Sequence, residues 1–310
     1  MVAIAQQIRS DTPVILMGET GCGKTSLIKC LAKVANVKLE AVDVHGGFTR
    51  TDIRQIVRDC TEQFNMQGLK EMWIFLDEIN TSPDLGWFKE LICNHTIDGI
   101  NIPKAVKIIG ACNPYRRRRF DGHVKESVSK DPLSQYVYRV FPLPETMKEY
   151  VWQFGRLSNL DEKQYILEMT KKTIARLYPK KSQKWSSSIP SIVRKISISQ
   201  NFLRKNLQDK AIVSLRDVAR CLSTYSWLRR RSSKTYAVSN WSGKCLTIAL
   251  GLCYYFKLNK KEREDYNKVI SSNWGTPFDR QLQEEIDTLC NCFEIPSGVA
   301  RNQALKENLF

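Results

Sequence analysis

Eight residues near the start of the chain, Gly18-Glu19-Thr20-Gly21-Cys22-Gly23-Lys24-Thr25, have the composition and spacing of a loop that holds a polyphosphate. Such a loop must turn several backbone N–H groups toward anionic oxygens, which glycines permit, and must run into a helix N-terminus. Lys24 would reach the terminal phosphates, and the Thr25 hydroxyl would hold Mg²⁺. Glu19, Thr20 and Ser26 complete the binding stretch, with Cys22 as a small filler. Two later segments supply what hydrolysis needs. In Trp73-Ile-Phe-Leu-Asp77-Glu78 an apolar run ends in paired acids. Asp77 would orient the metal and Glu78 would polarise the attacking water. In Ile108-Ile-Gly-Ala-Cys-Asn113-Pro114 an amide ends a strand, where it can hydrogen-bond that water or the γ-phosphate. Alone, two acids open a loop and Asn-Pro makes a turn. Their order behind a phosphate loop is what carries the reading.

These residues need elements to position them. Pro13–Met17 is a short apolar run before glycines, and Leu27, Ile28, Leu31 and Val34 recur at helical spacing after the loop, so the loop joins a strand to a helix. Val37–Val44 reads as a second strand and Asp52–Phe64 as a helix with Gly68 at its C-terminal cap. Trp73–Leu76, Val106–Ala111 and Tyr136–Phe141 read as the third, fourth and fifth strands. The alternation predicts a doubly wound parallel sheet. Past Pro142 and Pro144 it stops. Met147–Phe154, Glu162–Tyr178, Ile189–Leu207, Leu215–Leu228 and Cys245–Phe256 read as helices, with Lys180–Ser188 as a loop. The expected division is an α/β unit over 1–145, a helical lid over 146–260 and a helical connection over 261–310.

Bulk properties narrow the field. The longest apolar stretch, Cys245–Phe256, is about half of what a membrane-spanning helix needs. The N-terminus lacks a signal peptide's uninterrupted apolar core, so a cytoplasmic chain without a transmembrane segment is expected. The ten cysteines are scattered and the three histidines, His45, His95 and His123, lie far apart, which leaves little for a zinc centre. Of the formal net charge of +16, residues 1–145 carry +2 and residues 146–310 carry +14. A basic half suits nucleic acid, an acidic lipid surface or an acidic neighbouring domain, and equally a solvated helical surface.

Gly18–Thr25, Asp77-Glu78 and Asn113, in that order, resemble an AAA+ ATPase module. The resemblance implies an AAA+ P-loop NTPase fold, with a five-stranded sheet followed by an all-helical lid, ATP and Mg²⁺ as cofactors, and assembly with neighbouring AAA+ modules into a ring. By position, Arg139 resembles the arginine finger that acts in trans on a neighbour's nucleotide, with Arg116–Arg119 as competing candidates. Ser214-Leu-Arg216-Asp217-Val218 resembles the second sensor of the dynein, midasin and mysterin branch. There a cation in the first helical turn opposes the helix dipole and calls for a partner such as phosphate.

Several longer stretches, among them Met17–Thr25, Leu76–Ser82, Leu85–Glu90, Ala111–Arg116 and Val140–Pro144, resemble the mysterin-type giant ring-finger ubiquitin ligases. The tail from Ile295 resembles the connection into a following module of such a protein. That implies one ATP-hydrolysing module of a longer E3 ubiquitin ligase, whose zinc-binding ring and ubiquitination substrates belong to the parent chain. It also extends the expected location to lipid droplets. Two alternatives stand beside it: a midasin- or McrB-like remodeller or nucleic-acid motor, and a structural module locked by ATP without turnover. Arg116–Arg119 and Arg229–Arg231 lack the regularly interleaved aromatics of many single-strand binders, which disfavours nucleic acid.

Overall fold

Each central strand of the N-terminal half is apolar at nearly every position, so it has to be covered on both faces, as parallel strands are. The computed structural model describes residues 2–117, 136–155, 157–179, 186–206, 212–232, 241–271 and 277–290. In the first part of the chain the elements run α1 (Val2–Arg9), β1 (Val14–Gly18), α2 (Lys24–Ala35), β2 (Lys38–Asp43), α3 (Arg50–Met66), β3 (Met72–Asp77), α4 (Leu85–Cys93), a two-residue hairpin pair β4 (Thr96–Ile97) and β5 (Ile100–Asn101), β6 (Val106–Cys112), α5 (Glu145–Lys148) and β7 (Val151–Gly155). Five of these strands form one parallel sheet in the order β2-β3-β6-β1-β7.

The pleat sorts the core into two layers. Ile15, Ile74, Leu76, Ile108 and Cys112 pack with Ile53, Val57, Phe88 and Leu91 from α3 and α4. The alternate residues Val14, Leu16, Trp73, Phe75, Ile109 and Ala111 pack with Ile4 and Ile8 of α1 and with Ile28 and Leu31 of α2. Helix α3 starts on a capping box, in which Thr49 accepts the Asp52 N–H while Asp52 accepts the Thr49 N–H. It gives way to Gly68 at φ +56°, the left-handed residue expected after a helix.

Two expected elements differ from the structure. The fifth strand is Val151–Gly155 beside β1, whereas Tyr136–Phe141 is irregular apart from an isolated antiparallel bridge between Tyr136 and Arg117. Met147, Tyr150, Val151 and Phe154 fit a helical stripe, which explains the expected helix over Met147–Phe154. The β-branched and aromatic run Val151-Trp152, with the free edge of β1 as its template, decides for a strand. Consequently the α/β unit extends past 145: the chain divides into Met1–Arg156 and Leu157–Phe310.

Within the second unit, helices span Asn159–Leu177, Ile189–Asn206, Leu215–Ser232, Trp241–Cys253, Lys260–Ser271 and Phe278–Cys290. Their core holds Ile166, Ile196, Leu203, Val218, Leu222, Tyr225, Leu250 and Tyr254. Tyr266, Ile270, Phe278, Leu282 and Ile286 belong to that same core, so residues 261–290 are part of the helical unit instead of a separate connection. Arg118, Arg119, His123, much of Lys180–Ser188 and the tail from Ile295 lie outside the described residues.

One buried ion pair crosses this unit. Glu162, on the first helix, receives Arg204 through both guanidinium arms at 2.5 and 2.6 Å, and Arg204 also donates to Gln200 and to the Val213 carbonyl. The Glu162 side chain is 9% exposed. Removing one partner leaves the other charge buried and unpaired, which costs about 3–5 kcal/mol. Glu162→Ala is therefore expected to destabilise the helical unit by roughly that amount, and the double variant Glu162→Ala/Arg204→Met to recover much of it. Urea denaturation followed by circular dichroism checks both.

Candidate functional site

The strand order decides which side chains can meet. β6 lies between β1 and β3, so the residue after β6 stands between the loop that leaves β1 and the acids that end β3. Open α/β sheets bind ligands at this carboxyl edge.

The loop runs from the end of β1 into the first turn of α2, with Gly21 at φ +79° and Gly23 at φ +98°. Both values favour glycine. Gly18 has a different constraint: a Cβ there would sit 2.7 Å from both the Cys22 Sγ and the Phe154 Cβ. Lys24 begins α2 and is buried, with 6% of its surface exposed. Its ammonium donates to the Gly18 carbonyl at 2.7 Å, to the Glu19 carbonyl at 3.4 Å and to Asn113 Oδ1 at 3.2 Å. The Thr25 hydroxyl donates to Asp77 Oδ2. Asp77 Oδ1 accepts the Glu78 N–H at 3.0 Å. Lys24, Thr25, Asp77 and Asn113 thus form one connected cluster, and Asp77 and Asn113 are each 5% exposed. Cys112, behind Asn113, is an inert thiol, because burial pushes it up to about 12. Burial likewise raises Cys22 above the ordinary thiol value.

Glu78 stands at the rim of this cluster in left-handed backbone, φ +58° and ψ +34°. A non-glycine residue there is strained, and such strain collects at functional sites. Its neighbour Asn80 has no counterpart among the sequence expectations. Asn80 is 1% exposed; its amide donates to the Asn113 carbonyl at 2.8 Å and to the Phe141 carbonyl at 3.3 Å, and its Oδ1 accepts the Asn113 N–H at 3.2 Å. It therefore fixes the backbone that aims the Asn113 side chain. An Asn two residues after paired acids is a weak sequence signal, since Asn is common wherever a loop opens.

Glu19 and Thr20 meet Tyr138, another residue absent from the expectations. The Tyr138 hydroxyl donates to Glu19 Oε2 at 2.5 Å and accepts the Thr20 N–H at 3.1 Å. Burial, reinforced by the bond to Glu19, pushes this phenol up to about 12, so it stays a donor throughout the physiological range. Arg116 pairs with Glu19 at 2.7 Å. Ser26 is exposed in the first turn of α2, and Arg139 is exposed on the irregular segment that follows Tyr138.

Arg216 belongs to the other unit. Ser214 caps its helix, accepting the Arg216 N–H at 3.2 Å, and the Arg216 side chain is exposed. Next to it, Asp217 is buried and pairs with Lys257 at 2.7 Å. Burial works to raise its carboxyl, but Lys257 and the Ser214 N–H outweigh it and hold the group below its ordinary 3.8.

A parallel sheet in this order, with a glycine loop, lysine and threonine at β1–α2, paired acids after β3 and an asparagine after β6, defines an AAA-type P-loop module. Residues 1–116 match the family model described as RNF213 AAA domain. Along its whole length the chain is 34% identical to E3 ubiquitin-protein ligase rnf213-beta of Danio rerio, 32% to E3 ubiquitin-protein ligase RNF213 of Homo sapiens and 31% to its Mus musculus counterpart. The N-terminal part of the chain thus matches an RNF213 AAA domain, and the chain as a whole is similar to a stretch of about 7% of the length of each of these relatives. No helix among the described residues is long and apolar enough to cross a membrane.

Two outcomes are expected here. Asn80→Ala removes the partner of the buried Asn113 N–H and carbonyl, costing about 1–3 kcal/mol, and a lowered melting temperature by calorimetry checks it. For Asp217, a depressed folded pKa means that its contribution is fully present above 3.8 and is lost as pH falls through the lower folded value. The stability gap between the unmodified chain and Asp217→Asn should be constant near neutrality and should shrink only below pH 3.8, as read from denaturation at stepped pH.

Proposed function

We propose that this module binds ATP with Mg²⁺ and hydrolyses it, as one module of a longer E3 ubiquitin ligase of the RNF213 type. The observation that carries the reading is the single cluster of Lys24, Thr25, Asp77 and Asn113 at the carboxyl edge of the sheet. Its parts fit the task. A buried ammonium whose present acceptors are two loop carbonyls and an amide can exchange them for phosphate oxygens, which make stronger, charge-assisted bonds. Gly21 and Gly23 give the loop the backbone freedom to turn N–H groups inward. The donor set of a hydroxyl and a carboxylate in contact suits Mg²⁺, a hard cation that takes oxygen ligands, so Thr25 and Asp77 would hold it. Bound there, the ion would supply neutralisation of phosphate charge. Glu78 would accept a proton from the attacking water, and Asn113, fixed by Asn80, would hold that water or the γ-phosphate.

Arg139 and Arg216 would offset, with fixed positive charge, the negative charge that develops on the γ-phosphate, Arg139 in trans on the nucleotide of a neighbouring module. Placement in the cytoplasm and at lipid droplets, and the ubiquitination of other proteins by the parent chain, are parts of the same proposal.

Titration with ATP and Mg²⁺ tests the binding half. Lys24→Ala is expected to weaken affinity roughly 100-fold or more, because charge-assisted bonds to phosphate are lost; unchanged affinity would falsify the reading. Phosphate release tests the catalytic half. Glu78→Gln should keep nucleotide binding and slow turnover by about 100-fold or more, the scale of a lost general base. If turnover by the parent assembly is unaffected, ATP is a structural staple.

A further inference from the structure

A carboxylate is an awkward component of a loop that receives a triphosphate, because like charges a few ångströms apart disfavour one another. Glu19 is the acidic residue of Gly18–Thr25, and both of its oxygens are met by groups from distant parts of the chain. Arg116 Nη1 lies 2.7 Å from Oε1, and the Tyr138 hydroxyl donates to Oε2 at 2.5 Å. The same hydroxyl accepts the Thr20 N–H at 3.1 Å, so one side chain grips two successive residues of the loop.

The two clamping residues are also tied to each other. Val137 N–H donates to the Arg116 carbonyl at 2.8 Å, and Arg117 and Tyr136 form an antiparallel bridge. Tyr115 stacks on Tyr136 with ring centroids 4.3 Å apart. Beyond Tyr138, Phe141 N–H donates to the Asn80 carbonyl at 2.8 Å, which links the clamp to the residue that fixes Asn113. A side chain held only for packing would need neither the hydroxyl nor the guanidinium.

We propose that Arg116 and Tyr138 are positioning residues that neutralise Glu19 and fix the Glu19–Thr20 turn, so that the loop accepts a triphosphate it would otherwise repel. The inference rests on the nucleotide reading above. It assigns Arg116 a role within its own module, which separates it from Arg139. It also makes the affinity for nucleotide depend on a segment far along the chain from the loop.

The test is a double-variant cycle read by titrating the 310-residue chain with a fluorescent ATP analogue and Mg²⁺. Tyr138→Phe and Arg116→Ala are each expected to weaken affinity about three- to ten-fold, the scale of a lost charge-assisted hydrogen bond or partly exposed ion pair. Arg116→Lys keeps the charge and should stay within about two-fold of the unmodified chain. In a Glu19→Gln background, adding Arg116→Ala should change affinity by less than about two-fold, and adding Tyr138→Phe should cost less than it does alone, because only its bond to the Thr20 N–H is left to lose. Equal weakening with and without Glu19→Gln overturns the inference, since the clamp would then act without regard to the Glu19 charge. No binding by the unmodified chain sinks the nucleotide reading, and this inference with it.

Discussion

A buried ammonium group has to be met by acceptors, and the rest of the first unit is arranged around that need. Lys24 finds its acceptors in Gly18 and Glu19, where β1 ends, and in Asn113, where β6 ends. Those two strands are neighbours, in register from Val14 opposite Ile109 to Met17 opposite Cys112, so the ends arrive side by side without any further device. Asp77 reaches the same place from β3 only because β6 lies between, and the Thr25 hydroxyl, one residue along the helix, closes the remaining gap. The site follows from strand order, and strand order follows from continuous apolar strands that have to be covered on both faces.

Much of this was legible in the sequence, and the reasons are local. Gly18, Gly21, Gly23, Lys24 and Thr25 sit at fixed offsets, and their strand-loop-helix context is written in apolar runs and helical spacing. The first, third and fourth strands were legible because each is a short apolar block, whereas β2 carries Lys38, Glu40 and Asp43 and was legible only from Val37, Leu39, Val42 and Val44 before the His45-Gly46-Gly47 break. The edge strand was not, because Met147, Tyr150, Val151 and Phe154 satisfy a helical stripe as well as a strand, and only the open edge of β1 decides between them. Asn80 and Tyr138 escaped for a different reason. Each acts through partners 33 to 119 positions away, and no short-range spacing encodes such contacts.

The uneven charge also has a partly internal explanation. In the helical unit Arg204 is committed to Glu162, Lys257 to Asp217 and Lys244 to Glu285, and Arg229 donates to the Tyr178 hydroxyl at 2.8 Å. A count of basic residues overstates the positive surface offered to a partner when several cations serve as internal ties. The same commitment gives Asp217 its depressed carboxyl next to the exposed Arg216.

Gly155 closes the first unit's sheet and is hydrogen-bonded to the Gly18–Thr25 loop, accepting the Glu19 N–H at 3.0 Å while its neighbour Phe154 abuts Gly18. The chain leaves the α/β unit one residue later. Whatever pushes the loop therefore tugs on the point of departure at once, through a backbone bond instead of a relay of side chains. A shift of the loop backbone would thus be felt where the sheet ends through a single hydrogen bond.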